Sequence, residues 1–254
     1  MVGFDRWYQA VSRSGSAYRR VLEAAFGQDQ FVGQQGFSSR DQLLALGAAA
    51  LRDSDGPLLD VCCGAGGPAE CIAAQLGTRV IGVDLSLPAL RLARLSTVAG
   101  DAAKLPFSDG SFGAALLLDS LASVQALDVL FAEVARVLRP GGGLGVTAEV
   151  GRPLSSTERA RFTRSAPPTV VEEHTLRACL AGAGFATADV SNHTPRAAAV
   201  AHGLVAGLTD LRDDLVKELG QDAVEDLTAT LSCLADLLSS RRVSEIALVA
   251  RRAT

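Results

Sequence analysis

The sequence contains few aromatic side chains and few of the side chains that bind metals. Phenylalanine, tryptophan and tyrosine make up 5% of the 254 residues, and there are only 3 histidines and 5 cysteines. No CxxC pair and no cysteine–histidine spacing typical of zinc sites occurs among Cys62, Cys63, Cys71, Cys179 and Cys233. We therefore expect no bound metal, and the unpatterned, odd number of cysteines favours a reducing compartment.

Long apolar runs and an excess of basic residues are also missing. No stretch reaches the roughly 18 consecutive apolar residues of a membrane-spanning helix, and the opening MVGFDRWYQAVSRSG lacks the apolar core of a signal peptide. The 24 Lys and Arg against 28 Asp and Glu give a net charge of -4. This balance does not favour binding to the negatively charged backbone of a nucleic acid. We expect a cytoplasmic protein that binds neither nucleic acid nor a membrane.

The order of apolar runs along the chain is typical of an α/β protein. Residues 1–52 have a helical pattern, broken by a glycine-rich loop at 27–39. Short apolar runs then alternate with amphipathic segments, which indicates βαβ units and a mostly parallel sheet. The predicted strands are Leu58–Cys62, Arg79–Asp84, Thr97–Gly100, Phe112–Asp119, Leu144–Val150, Ala186–Val190 and Glu245–Arg251. The predicted helices between them are Pro68–Leu76, Pro88–Leu95, Asp128–Leu138 and Glu172–Ala183.

A long helical segment separates the last two predicted strands. Residues 195–242 are too long for a structureless connection and predict two helices that meet near Gly220. We therefore expect an N-terminal helical cap (1–52), a Rossmann-like core (53–194), a helical lid (195–242) and a last core strand (243–254). The lid and the cap aromatics would close an apolar pocket: Trp7, Tyr8, Phe31 and Phe37. Either instead of this pocket or in addition to it, a homodimer interface could be formed by Leu204, Leu208, Leu211 and Leu215.

Aspartates lie at or near the carboxyl ends of the first four predicted strands. The first strand contains Asp60 and leads into Cys62-Cys63-Gly64-Ala65-Gly66-Gly67, a turn that lets the backbone approach a ligand. Asp84 ends the second strand, where a carboxylate can accept hydrogen bonds from both hydroxyls of a ribose. Asp101-Ala102 and Asp119-Ser120 end the third and fourth strands. Because ligands of open α/β sheets bind at the carboxyl ends of strands, these residues predict a nucleotide site there.

Four segments carry a resemblance to a known family: LLDVCCGAGG, VIGVDLS, VAGDAAKLPFSDGSFGAALLLDSL and VLFAEVARVLRPGGGLGVT. They resemble the successive motifs of class I S-adenosylmethionine-dependent methyltransferases, most closely the small-molecule (type 11-like) branch of bacterial secondary metabolism. The resemblance implies a seven-stranded fold and S-adenosyl-L-methionine as cofactor, with S-adenosyl-L-homocysteine as product. The implied cofactor contacts are Asp60, Cys62, Cys63, Gly64, Gly66, Asp84, Leu85, Asp101, Ala102, Asp119 and Ser120. The spacing of the turn is not the GxGxxG of dinucleotide sites.

Two positions depart from the pattern of this family. Cys62 stands where relatives have the first glycine, so a positive φ there would be strained, and Ser123 stands where relatives often have a histidine. Catalysis of methyl transfer needs few fixed residues. We consider Glu149 and His193 as bases, because Glu149 lies at the end of the fifth predicted strand and His193 follows the sixth. The first hypothesis is O-, N- or C-methylation of a small, apolar or aromatic natural product. The alternatives are a cofactor-binding cyclase or rearrangement enzyme that methylates nothing, and a non-catalytic scaffold.

Overall fold

The computed structural model describes residue 13 and residues 15–124, 126–162 and 170–254. The predicted pocket residues Trp7 and Tyr8 lie outside the described residues. The helices are α1 (Ala17–Phe26), α2 (Arg40–Leu51), α3 (Gly67–Leu76), α4 (Leu87–Leu90), α5 (Leu127–Val137), α6 (Ser156–Arg159), α7 (Glu173–Gly182), α8 (Thr194–Asp210), α9 (Arg212–Leu219) and α10 (Gln221–Ser239). The strands are β1 (Leu58–Val61), β2 (Val80–Asp84), β3 (Ser96–Ala99), β4 (Phe112–Leu117), β5 (Leu138–Gly151), β6 (Phe185–Asn192) and β7 (Val243–Arg252).

All seven strands form one sheet in the order β3-β2-β1-β4-β5-β7-β6. The pairs from β3 to β5 are parallel, whereas β7 runs antiparallel between β5 and β6. This confirms the predicted Rossmann-like, mostly parallel, seven-stranded fold. Since the strand order reverses between β1 and β4, the loops after these strands flank the crevice where such sheets bind ligands.

Three predicted elements differ from the structure. The helix predicted from Pro88 to Leu95 is only α4, because the chain turns after Leu90 and Leu95 packs beside α3. The fifth strand begins at Leu138 rather than Leu144: Leu138 pairs with Phe112, and a register shift accommodates the glycine run that follows. The predicted pair of lid helices is three helices, because the backbone leaves helical geometry at Leu211 (φ -105°, ψ 20°).

The lid helices pack inside the chain against the N-terminal helix. Leu204, Leu208 and Leu215 are buried with Val21 and Phe26 of α1 in one apolar cluster. Leu211 is partly buried against the same cluster. The dimer interface considered for these leucines is therefore wrong, because their apolar surface is already covered by α1 and α10. Of the described helices, none combines the length and apolar character needed to cross a membrane.

Candidate active site

The turn after β1 bends through three left-handed positions. Cys62 has a φ of +60° and Gly64 a φ of +54°, so the cysteine adopts the conformation that we expect to be strained for a residue other than glycine. Gly66, also left-handed at φ +79°, precedes α3, and Pro68 occupies the first turn, where its missing N–H is harmless. The turn therefore delivers the N-terminus of α3 to the carboxyl edge of the sheet.

Asp84 is fastened to this turn by its side chain. Its Oδ2 accepts a hydrogen bond from the Gly64 N–H at 2.8 Å, and its Oδ1 accepts one from the Ser86 N–H at 2.8 Å. Each carboxylate oxygen has further lone pairs, so both oxygens can still accept hydrogen bonds from hydroxyl groups of a ligand. The adjacent Leu85 side chain is 63% exposed, an apolar surface at the rim of the site.

Asp101 and Ala102 lie on the neighbouring strand end. The Asp101 side chain is exposed, and its Oδ1 accepts a hydrogen bond from the Ala103 N–H at 2.8 Å, which orients the carboxylate. Ala102 is buried. The structure therefore brings Asp84, Leu85 and Asp101 to one edge, as the motifs predict.

The two cysteines have different environments. The Cys63 thiol is buried beside Gly82 of β2 and lies 3.7 Å from the Gly64 carbonyl oxygen, so it packs into the sheet. Burial, with the charges of Asp84 and Asp60, raises the pKa of Cys62 to about 12. A thiol with such a pKa stays protonated at neutral pH and is a weak nucleophile, so both cysteines fit a packing role better than a nucleophilic one.

Asp60 lies beneath the turn in β1. It is 2% exposed, and burial together with the charge of Asp84 raises its pKa to about 7. Burial disfavours a charged carboxylate, so Asp60 is partly protonated at neutral pH. A protonated carboxyl can donate a hydrogen bond as well as accept one.

Asp119 follows β4 in a left-handed conformation, with a φ of +50°. Its backbone N–H donates to Thr147 Oγ1 at 2.8 Å, and Thr147 Oγ1 donates to Asp119 Oδ1 at 2.7 Å. This double link to β5 fixes the carboxylate. The next residue, Ser120, is 7% exposed, and its hydroxyl is close enough to the Cys62 thiol to favour the ionised form of that thiol by a hydrogen bond, an effect smaller than that of burial on the pKa.

Glu149 lies directly opposite Glu245 in the antiparallel pairing of β5 and β7. Burial raises the pKa of both carboxyl groups, and the charge of Asp119 raises them further. Glu245 is a residue that reasoning from the sequence missed. Its only signal is a single acidic residue in an otherwise apolar final strand, VSEIALVA.

His193, the other predicted base, occupies the N-cap position of α8. Its ring Nε2 lies 2.9 Å from Ser191 Oγ, and its backbone N–H donates to the Glu245 carbonyl at 2.8 Å. Burial lowers its pKa, so the ring is neutral at neutral pH. No described contact joins the His193 ring to Glu149.

The connection between α1 and α2, residues 27–39, covers this edge, and we call it the cap loop. Gln34 organises it: its Nε2 donates to the Gln30 and Ser38 carbonyls, and its Oε1 accepts from the Val32 N–H. A Cβ on Gly67 would lie 2.1 Å from the Val32 carbonyl oxygen, and a Cβ on Gly36 would lie 1.6 Å from Asp119 Oδ2. The cap loop therefore contacts both the glycine turn and the acidic residue after β4.

The sequence and the fold are similar to those of known methyltransferases. Residues 59–146 match the family of methyltransferase domains. A fatty-acid O-methyltransferase of Mycolicibacterium smegmatis is 40% identical over 103 residues, which are 37% of this chain and 38% of that enzyme. The chain thus spans less than half the length of this curated relative.

Two solved structures are similar over almost the whole chain. The [4+2]-cyclase SpnF has a TM-score of 0.75 and 23% identity, over 99% of this chain and 96% of that one. Phosphoethanolamine N-methyltransferase 2 of Haemonchus contortus, solved with S-adenosyl-L-methionine, has a TM-score of 0.75 and 21% identity, over 97% of this chain and 60% of that one. At these identities the likeness concerns the fold. Residues 59–146 are therefore similar to methyltransferase domains, within a chain that shares the fold of these two solved structures.

Proposed function

We propose that this protein binds S-adenosylmethionine and methylates a small, apolar or aromatic natural product in the cytoplasm. The observation that carries the proposal is the fastening of Asp84 to the Gly64 and Ser86 N–H groups, within the segment that matches methyltransferase domains. A carboxylate held in this way at the end of β2 has a fixed position, which lowers the entropic cost of binding a ligand.

The residues at this edge fit the nucleoside of the cofactor. Asp84 offers two oriented acceptors to a vicinal diol, exposed Leu85 offers an apolar surface to a purine, and Asp101 offers an acceptor to an exocyclic amine. The remaining predicted contacts, from Cys62 to Gly66 and at Asp119-Ser120, would surround the amino-acid end.

When bound, the cofactor supplies a methyl group already activated by a sulfonium. The protein then contributes mainly proximity, orientation and exclusion of water. The cap loop is placed for this role, because it touches Gly67 on one side of the crevice and Asp119 on the other. Glu149 and His193 stay our predicted proton acceptors for an acceptor group that must lose a proton.

An apolar acceptor is supported by the surroundings of the cap loop. Phe31 and Phe37 are buried in the same apolar cluster as the lid helices, so the cap and the lid form one hydrophobic layer. The matched fatty-acid O-methyltransferase also acts, by its name, on an apolar molecule.

Calorimetry with S-adenosylmethionine tests the cofactor. We expect saturable binding with a one-to-one stoichiometry, and a folded protein that binds none at millimolar cofactor would contradict the proposal. Product analysis then tests the reaction. Release of S-adenosylhomocysteine in step with a methylated acceptor supports methyl transfer. Conversion of a substrate without that release would favour the alternative, a cyclisation of the kind named for the structurally similar SpnF.

A further inference from the structure

The connection between β3 and β4, residues 100–111, is held by two side chains of one helix, and we call it the β3–β4 loop. Glu133 and Arg136 are three residues apart on α5 and therefore lie on the same side of it. Hydrogen bonds of 2.9 and 2.8 Å join their side chains, and they lower the pKa of Glu133, so the pair is charged at neutral pH. The β3–β4 loop begins with Asp101 and Ala102, the predicted contacts of the adenine.

Leu105, in the middle of this loop, is fixed by both of its backbone groups. Its N–H donates to Glu133 Oε2 at 2.8 Å, and its carbonyl accepts from Arg136 Nη2 at 3.0 Å. Its side chain is buried in the apolar cluster that contains Leu130 and Val134 of α5. Leu105 therefore cannot shift relative to α5 without losing two hydrogen bonds and its place in the core.

Arg136 also holds the second half of the loop. Its Nη1 donates to the Phe107 carbonyl and to Asp109 Oδ1, both at 2.8 Å. With one hydrogen bond from Nε and two from Nη2, all the N–H donors of the guanidinium have partners. The Phe107 ring packs edge-on against Phe112 at the start of β4, with 4.9 Å between the ring centroids. Only the planar fork of an arginine fits this set of two carbonyls and two carboxylates.

A short turn connects the held residue to the predicted adenine contacts. The Lys104 N–H donates to the Asp101 carbonyl at 2.9 Å, and the Ala103 N–H donates to Asp101 Oδ1 at 2.8 Å. These two hydrogen bonds close residues 101–104 into one turn, directly before Leu105. The place at which Leu105 is held therefore sets the position of the Asp101 carboxylate.

We propose that Glu133 and Arg136 are positioning residues that set the preference of the site for an adenine base. They act through the β3–β4 loop: while the loop is held, the Asp101 carboxylate stands ready to accept a hydrogen bond from the exocyclic amine, so the loop need not be ordered on binding. When the loop is released, the amine loses this fixed acceptor. Asp84 keeps its position, because its hydrogen bonds come from the glycine turn and from its own strand end. The inference rests on the proposed function, since it assumes an S-adenosyl cofactor.

The test compares two ligands that differ only in the exocyclic amine. S-adenosylhomocysteine and its purine-riboside analogue, which has hydrogen in place of the amine, are titrated into the protein by calorimetry. We expect the wild type to bind S-adenosylhomocysteine at least about fivefold more tightly, because the analogue offers no donor to the carboxylate. Equal affinity for the two ligands would overturn the inference.

Variants of the arginine assign the preference to the hold on the loop. Arg136→Gln removes the guanidinium, and Arg136→Lys keeps a cation beside Glu133 but lacks the planar fork. We expect the preference for the amine to fall below about twofold in both, because Asp101 is no longer held in place. The affinity for the analogue should stay close to that of the wild type. An unchanged preference, or an equal loss of affinity for both ligands, would contradict a positioning role.

Arg242→Gln is the matched control. Arg242 makes the same kinds of contact, to the Glu158 carboxylate and to the carbonyls of Arg152 and Pro153, but it holds the chain after β5. We expect this variant to melt below the wild type and to keep the full preference for the amine. A loss of preference as large as in Arg136→Gln would show that reduced stability is the cause, and would overturn the inference.

A measurement on the wild type decides the matter even if the Arg136 variants do not fold. Because its N–H is bonded to Glu133, the Leu105 amide should be protected from hydrogen exchange in the ligand-free protein. Exchange as fast as in an unfolded peptide would overturn the inference. The two proposals fail separately: no binding of S-adenosylhomocysteine to the wild type would contradict the proposed function, whereas binding without a preference for the amine would contradict only the positioning role.

Discussion

Gly36 of the cap loop lies directly on the carboxylate of Asp119. A Cβ at residue 36 would stand 1.6 Å from Oδ2, far inside van der Waals contact. The contact joins the N-terminal cap to the residue after β4, which Thr147 fixes from the other side. The cap loop therefore cannot close over the crevice unless residue 36 has no side chain.

Replacing Gly36 tests this contact. We expect Gly36→Ala to lower the free energy of unfolding by about 1–3 kcal/mol, because the methyl group displaces the loop or the carboxylate. Urea unfolding measures the change. Gly182→Ala is the matched control: residue 182 has open space around a Cβ and lies at the exposed end of α7. A loss in Gly182→Ala as large as in Gly36→Ala would contradict a steric cause.

Asp84 should determine cofactor affinity. We expect Asp84→Asn to raise the Kd for S-adenosylmethionine about tenfold or more, because one charged acceptor and one of its two backbone hydrogen bonds are lost. Calorimetry gives the constant. Asp213→Asn, at an exposed position of α9, is the control and should bind like wild type. A Kd within threefold of wild type for Asp84→Asn would refute the ribose assignment.

Cys62 carries backbone strain that a different side chain would increase. Its φ of +60° is tolerated by glycine and strained for β-branched residues. We expect Cys62→Val to lower the free energy of unfolding by about 1–3 kcal/mol. We expect Cys62→Gly to stay within about 1 kcal/mol of wild type and to retain cofactor binding. The idea of a packing cysteine would be abandoned if Cys62→Gly lost activity while it kept its fold and its cofactor affinity.

The Glu158–Arg242 pair should make stability depend on acid pH. Two hydrogen bonds, at 2.7 and 2.9 Å, join the carboxylate to the guanidinium, and the pKa of Glu158 is lowered from 4.5 to about 2 chiefly by Arg242. Because the folded pKa is depressed, the stabilisation is present above pH 4.5 and disappears as the pH falls towards 2.

Glu158→Gln should therefore melt below wild type at pH 7, and the gap should close as the pH falls through this window. Thermal melts at several pH values follow it. Glu173→Gln, whose partner Arg177 lies on the same helix, serves as a control with a smaller expected effect. A gap that stays constant from pH 7 to 2 would show that the charge of Glu158 is not the cause.

Reasoning from the sequence located the nucleoside half of the site because that half is local. Asp84 and Asp101 each end a strand, and the structure brings them to one edge beside the turn that begins at Cys62. Parallel strands place their carboxyl ends together, so the position of each residue in its own strand was enough to predict its neighbours. The roles of these residues towards the cofactor stay predictions.

The pairing of Glu149 with Glu245 and the packing of the lid helices depend on contacts that no local pattern contains. Glu149 meets Glu245 only because β7 enters the sheet antiparallel between β5 and β6, after the three lid helices. From the sequence alone, the lid leucines fit a dimer surface as well as an internal one. In the structure, α1 covers them.

The sequence by itself determined the fold class, the family resemblance and the edge that carries Asp84 and Asp101, because strand period and turn chemistry are short-range. Only the tertiary structure decided that Glu149 lies opposite Glu245 across the sheet, and that Gly36 packs directly against Asp119. Pairing across the sheet and packing of the cap are long-range, and their register is set by the whole core.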